Sequence, residues 1–274
     1  MHATVHAACR AVLMAADPET KAQAALDAAA DFAAGRLDVA LDEVACADWP
    51  KRPARPARPE LVPTNRVKRR SLVSDKGRAS MLHALAHIEF NAIDLAFDLI
   101  GRFAHDAVVA AQPLVFAADW LRVGGEEAKH FLALSARLKA HGIAYGDLPA
   151  HDGLWRTAEA TSNDLAARLA IAPLVLEARG LDVTPSMIAG LKQAGDPHSA
   201  ATLEMIYADE IGHVAAGQRW FEATCLQRQI DPAVTFQSLV QTYYPGGLKE
   251  PFNTAARGSA GMREDWYAAC EETR

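Results

Sequence analysis

The sequence predicts an all-α protein: a four-helix bundle preceded by N-terminal helices and a Pro/Arg-rich strap, and followed by a C-terminal extension. Three observations predict that class. Apolar residues recur every three or four positions over four long stretches, which is the period of a helix. Runs of proline, glycine and cap-forming residues separate those stretches. Two of them also carry the same short pattern, Glu127-Ala128-Lys129-His130 and Glu210-Ile211-Gly212-His213. A glutamate and a histidine three residues apart leave one face of a helix and can grip one metal ion.

Composition sets outer limits. With 274 residues, half of them hydrophobic, the chain can bury one sizeable core with an appendage. A net charge of -6 argues against a general nucleic-acid binder. No run of 18 apolar residues occurs, and the start carries His2, His6 and Arg10 without a cleavage pattern, so a cytoplasmic protein is expected. Cys9, Cys46, Cys225 and Cys270 lack CxxC spacing and suggest neither a zinc ribbon nor a disulfide framework.

Taken in order, residues 1–46 read as an N-terminal helical segment, alanine-rich and marked by a cap and first turn at Asp17-Pro18. His6 and Cys9 share a face there, a pair better explained by packing than by a metal. Residues 47–74 form an arm. Pro50, Pro53, Pro56, Pro59 and Pro63 alternate with Lys51, Arg52, Arg55 and Arg58, a composition that favours extended polyproline II; Arg66, Lys68, Arg69 and Arg70 continue the positive charge. Two readings stand: a surface for RNA or an acidic partner, or a strap over acidic helices of its own chain.

Residues 75–228 hold the bundle. Ser74-Asp75 caps a first helix reaching about Asp106, in which Glu89 lies in line with Leu82, Ala86, Ile93, Ala96, Phe97 and Ile100. A second face carries His83, His87, Asn91, Asp94 and Asp98; it reads as a hydrogen-bonding face against the basic arm, or as a two-histidine metal clamp. Pro113 opens a second helix to about His141, and a turn-rich connection spans 142–152. A third helix is expected from Gly153 to Arg179, kinked at Pro173, carrying Glu177 and stopped by Gly180. A short helix over 185–193 precedes a fourth long one from Asp196-Pro197 to about Gln227. Residues 229–274, aromatic and turn-rich, are expected to wrap the bundle.

The four long helices thus supply Glu89, Glu127 with His130, Glu177, and Glu210 with His213. Trp120, Val123, Phe131 and Leu134 surround Glu127; Leu203, Ile206, Tyr207 and Val214 surround Glu210; no Lys or Arg shares either stripe. Ionised carboxylates in such stripes cost several kcal/mol unless paired or bound to a cation. One Glu from each of two helices, with Glu and His from each of the other two, is the arrangement of dinuclear carboxylate sites in four-helix bundles. Four carboxylates balance two divalent ions, and oxygen-rich ligation without thiolate favours iron or manganese. Glu126 and Asp209 are placed to accept an imidazole N–H or to stand in solvent. Tyr207, one turn before Glu210, is either a redox-active side chain near the metals or a core tyrosine hydrogen-bonded to a carboxylate.

The order Glu, ExxH, Glu, ExxH resembles the ferritin-like superfamily of di-iron carboxylate proteins. More closely, HALAHIEFNAIDLAFD, VGGEEAKHFLALSARL, YGDLPAHDGLW, RLAIAPLVLEARGLDVTP and IYADEIGHVAAGQRWF resemble the bacterial DUF455 family over about residues 50–225. That resemblance implies metal-ligand roles for Glu89, Glu127, His130, Glu177, Glu210 and His213. It also implies two ions, iron or a manganese–iron pair, and a reaction with O2 or peroxide on a small-molecule substrate that it does not identify. Hydroxylases of modified tRNA bases belong to the superfamily, so a tRNA-like substrate is one expectation, although stacking platforms interleaved with Lys and Arg are missing. The alternatives are iron storage, and a metal-stabilised scaffold whose arm binds RNA or an acidic partner.

Overall fold

The computed structural model describes residues 3–42, 46–63, 66 and 72–271, and it is predominantly helical. Lys68, Arg69 and Arg70 of the basic run lie outside the described residues. No helix among the described residues is long and apolar enough to cross a membrane. The chain divides into two compact units, residues 1–155 with 191–202, and residues 156–190 with 203–274.

In the first unit, β1 (Ala3–Thr4) pairs in parallel with β2 (Leu37–Asp38), a short ribbon that the helical periodicity does not foretell. Between them run α1 (Val5–Met14) and α2 (Pro18–Ala33); Thr4 caps the first, and Asp17 with Pro18 starts the second as expected. Helix α3 (Asp75–Arg102) is capped by Ser74. A single turn, α4 (Ala107–Ala111), leads to α5 (Pro113–Ala140). Helices α3 and α5 form the centre of the unit, and α3 is buried on nearly all sides from Glu89 to Gly101.

That burial includes the polar ladder. Asp94 is fully buried and ion-paired with Lys21 of α2, itself fully buried, and with Arg55 of the arm at 2.7 Å. Burial raises the Asp94 carboxyl, against the pull of Lys21 and Arg55, and lowers Lys21 against the pull of Asp94. Arg55 also donates to Asn91 at 2.6 Å. Trp49 Nε1 donates to Asp98 at 2.9 Å, and Arg102 bridges Asp98 to the Pro50 carbonyl at 2.7 Å. Further along, Arg52 pairs with Asp152, while Ala54 N–H donates to Leu13 O and Val62 N–H to Ala150 O. The described part of the arm is therefore a strap on its own chain.

His83 and His87 meet the connection after α5 instead of the arm. Gly146 N–H donates to His83 Nε2 at 2.9 Å; His87 Nδ1 lies 2.9 Å from the Tyr145 hydroxyl and Nε2 lies 3.2 Å from His151 O. Tyr145 stacks on both imidazoles and meets Phe90 and Phe131. These histidines are structural, with both rings occupied by turn backbone and a phenol.

The third-helix expectation needs correction. Helix α6 (Gly153–Ala160) stops early, and α7 (Leu165–Ile171) restarts under a cap by Asp164, which accepts from Ala166 N–H at 3.0 Å. Fully buried Arg168 holds the break, donating to Ala158 O at 2.6 Å and to Thr161 Oγ1 at 3.0 Å. From Ala172 to Glu177 the backbone is π-helical, and α8 (Ala178–Gln193) continues straight through Gly180 and Pro185. Gly180 takes no left-handed conformation, so it terminates nothing. Pro185 cannot donate to Leu181 O; the side-chain amide of Asn253 does so instead at 3.1 Å, which lets the helix run on.

Helix α9 (Pro197–Gln227) has the predicted span. At its start, in the first unit, Asp196 accepts from Ser199 N–H, Arg137 and His141. The extension is more helical than its turn chemistry suggests, with α10 (Pro232–Tyr243), α11 (Thr254–Ser259) and α12 (Glu264–Tyr267). Buried Arg257 of α11 binds Asp182 of α8 through Nε at 2.9 Å and a terminal nitrogen at 2.7 Å, and packs over the Tyr267 ring. The second unit is thus closed by a charged clasp between α8 and the tail.

Candidate metal centre

In the first unit the site is built by α3 and α5. Gly124 lets them approach: a Cβ there would stand 2.4 Å from the Phe97 ring. One turn later Glu127 enters the same interface, followed by His130, and opposite them stands Glu89. All three are buried, His130 completely. His130 Nδ1 lies 3.3 Å from Glu89 Oε2 and 3.4 Å from Glu127 Oε2, and one ligand atom from each residue falls within 4.8 Å of the other two. These residues could hold a metal ion.

The donor chemistry fits. Two carboxylate oxygens and one imidazole nitrogen are hard to borderline donors of the kind that hold a metal cation. Bonds of about 2.1 Å place neighbouring ligand atoms on the order of 3 Å apart, close to the observed separations. Without an ion, a proton does the same electrostatic work. Burial alone would lower His130, but hydrogen bonds to Glu127 and Glu89 outweigh it and push the imidazole up to about 11.

In the second unit α9 carries Glu210 and His213, both buried, with His213 Nδ1 3.7 Å from Glu210 Oε2. Glu177 ends the π-helical turn and is half-buried. Among the described residues, Glu177 is not one of those whose ligand atoms group closely, and the backbone that leads to it is π-helical from Ala172. Gly217 of α9 fits against this turn, since a Cβ there would meet Pro173 at 2.4 Å.

The supporting residues are now placed. Glu126 is ion-paired with Arg122 at 2.7 Å on the outer side of α5, and Asp209 is half-buried. Tyr207 is half-buried, and its hydroxyl accepts from the Asn253 side chain at 2.9 Å. Asn253 was invisible to motif reading, though an Asn before Thr-Ala-Ala-Arg is a cap signal, and it does cap α11 by accepting from Ala256 N–H. One side chain therefore ties the tail, the turn of α8 before Pro185 and the helix bearing Glu210 together.

The family model described as "Protein of unknown function (DUF455)" matches residues 14–268. An uncharacterised protein of Haemophilus influenzae is 42% identical over 224 residues, covering 80% of this chain and 78% of its own. No solved structure matches.

Proposed function

We propose that this chain, which belongs to the DUF455 family, is a ferritin-like dinuclear carboxylate oxidoreductase that activates O2 or peroxide to oxidise a small organic substrate. The observation that carries this reading is the buried triangle of Glu89, Glu127 and His130. Two carboxylates beside one imidazole in an apolar interface are costly unless a cation or proton compensates them. The repeat of the same Glu and His pair on α9, with Glu177 as third donor, supports a second ion of the same kind.

In this reading Glu89, Glu127 and His130 hold one ion, and Glu177, Glu210 and His213 the other. Iron, alone or with manganese, would supply Lewis acidity and one-electron redox chemistry. The chain's own part is to fix donor atoms and to exclude water. Gly124 and Phe97 hold α3 and α5 together around Glu127, and Trp120, Phe131 and Leu134, all buried, keep solvent from the carboxylates.

Metal analysis by mass spectrometry on protein purified without chelator tests the proposal. About two equivalents of iron or manganese are expected, falling to about one in Glu177→Ala and to none in the Glu127→Ala, Glu210→Ala double variant. A wild-type chain that cannot be loaded with ferrous or manganous ion refutes the reading. Particle size separates an enzyme from a storage shell. The strap's internal ion pairs, Arg52 to Asp152 and Arg55 to Asp94, favour the enzyme over a scaffold whose arm captures RNA.

A further inference from the structure

A cavity of about 280 Å3 lies in the first unit where β1 passes into α1, beside the residues after β2 and the neighbouring ends of α3 and α5. Val5, Val39, Ile100, Val109 and Phe116 make its wall apolar, and exposed Leu41 stands at its rim. A single titratable side chain lines it. His6 is 6% exposed, and its Nδ1 is buried without a hydrogen-bond partner. Burial lowers the His6 imidazole, against opposing pulls from Asp42 and the Ala40 backbone and with His105 adding to the lowering, so the ring is neutral near pH 7.

A buried ring nitrogen without a hydrogen-bond partner is uncommon in a folded protein and calls for a specific explanation. Here the explanation has a shape, since a cavity adjoins it. We infer that this cavity binds a small neutral molecule with an apolar body and one hydroxyl group, a phenol or short alcohol, whose hydroxyl pairs with His6 Nδ1, as donor or acceptor to suit the imidazole tautomer. The lining argues for each part of that description. Among the described residues that line the cavity none carries a carboxylate, ammonium or guanidinium, so an ionic ligand would be desolvated without a partner. A lone ring nitrogen selects a hydrogen-bonding head group, and an apolar wall selects the rest. The volume sits at the lower edge of small-molecule sites, roughly 300–1,000 Å3, which limits the ligand to one ring or a short chain.

This site is distinct from the carboxylate cluster. Ile100 is eleven residues beyond Glu89 on α3 and Phe116 eleven residues before Glu127 on α5, so along both helices the separation is about 16 Å. Neither metal loading nor oxidase activity bears on it.

The test uses the full chain with p-cresol and toluene, two probes of nearly equal size that differ by the hydroxyl. Calorimetry should show p-cresol binding about tenfold more tightly than toluene, the worth of one buried hydrogen bond. On histidine-15N protein, p-cresol alone should shift the Nδ1 resonance of His6. His6→Leu should erase the preference while leaving toluene binding in place, and His6→Gln, which offers an amide in its place, should restore part of it. Ala110→Trp at the exposed rim should block both probes. Equal affinity of wild type for the two probes, no binding of either, or a His6 Nδ1 resonance indifferent to p-cresol overturns the inference. These wild-type readouts decide the question even if a His6 variant fails to fold.

Discussion

Removal of the Lys21 ammonium is the perturbation for which the structure sets the sharpest expectation. Lys21 and Asp94 have no side-chain exposure, and Arg55, the third member of their network, keeps 22%. Breaking a buried pair by deleting one partner costs about 3–5 kcal/mol, because the survivor stays desolvated. After Lys21→Met, Asp94 still has Arg55 at 2.7 Å, so the cost falls near 3 kcal/mol, the lower end of that range. After Asp94→Leu, Lys21 keeps only the Leu13 carbonyl at 3.3 Å and the Phe90 ring at 5.3 Å, so the cost is nearer 4–5 kcal/mol. In the double variant both buried charges are gone, and Arg55 retains Asn91 and some solvent; about 1–2 kcal/mol is expected. Urea unfolding of the four proteins measures the cycle. The double variant should be more stable than either single one, with a coupling of several kcal/mol. Single variants that each cost under about 1 kcal/mol, or costs that simply add, would refute the claim that this pair is a buried strut between α2 and α3.

Asn253→Ala strips Leu181 O and the Tyr207 hydroxyl of one partner and should cost about 1–3 kcal/mol in urea unfolding; Pro185→Ala, which restores an N–H to Leu181 O, should recover part of that loss. Acidification acts through His83 and His87, each lowered by burial from 6.5 to about 4. Their folded values lie below the unfolded one, so the folded chain binds fewer protons and loses stability as pH falls from about 6.5 towards 4; roughly 2 kcal/mol per histidine should be gone by pH 5, with no contribution above pH 7. Unfolding midpoints at pH 7 and pH 5 in wild type and in a His83→Gln, His87→Gln variant check this, and an equal fall in both would contradict it. Gly124→Ala drives a methyl into Phe97 and should cost about 1–3 kcal/mol while weakening the first metal equivalent several-fold; unchanged binding would mean that α3 and α5 need not approach this closely.

Some of this was legible from residue pattern alone, and the reason differs from element to element. Helices α3, α5 and α9 were read with caps and spans nearly correct because Ser74, Pro113 and Asp196-Pro197 are local signals acting on long periodic stretches. Family membership was legible too, and the family match runs further at both ends than the segments that carried the resemblance. The 153–193 region misled for a physical reason. Gly180 and Pro185 are local breakers, and what overrides Pro185 is Asn253, which lies 68 residues further along the chain and has no sequence signal linking the two. Asp164 was the reverse case, a cap signal within Ser-Asn-Asp passed over in favour of one continuous helix. Spacing paired Glu127 with His130 and Glu210 with His213, because three residues on a regular helix fix a shared face. Glu177 was read from its apolar neighbours, but the π-helical turn that it ends leaves no mark in that count.

The polar ladder on α3 bears on the metal centre even though it never touches it. At 100° per residue, His83, His87, Asn91, Asp94 and Asp98 fall within about 80° of one another, and Glu89 lies roughly 200° from their centre. A helix buried on nearly all sides has little to fix its rotation if every face is merely apolar, since hydrophobic contact is non-directional. Directional bonds supply what apolar packing cannot. Tyr145 and the Gly146 N–H engage the two histidines, Arg55 holds Asn91 and Asp94, Lys21 holds Asp94, and Trp49 with Arg102 holds Asp98. With that face pinned to the strap and the connection, the opposite face is pinned as well, and Glu89 is delivered to Glu127 and His130 in one orientation. The strap is then part of the centre's construction, and the clearest sign would be a Lys21→Met chain that still folds at low temperature but takes up its first metal ion more weakly than wild type. Unaltered affinity in that variant would detach the strap from the site and leave helix packing alone to orient Glu89.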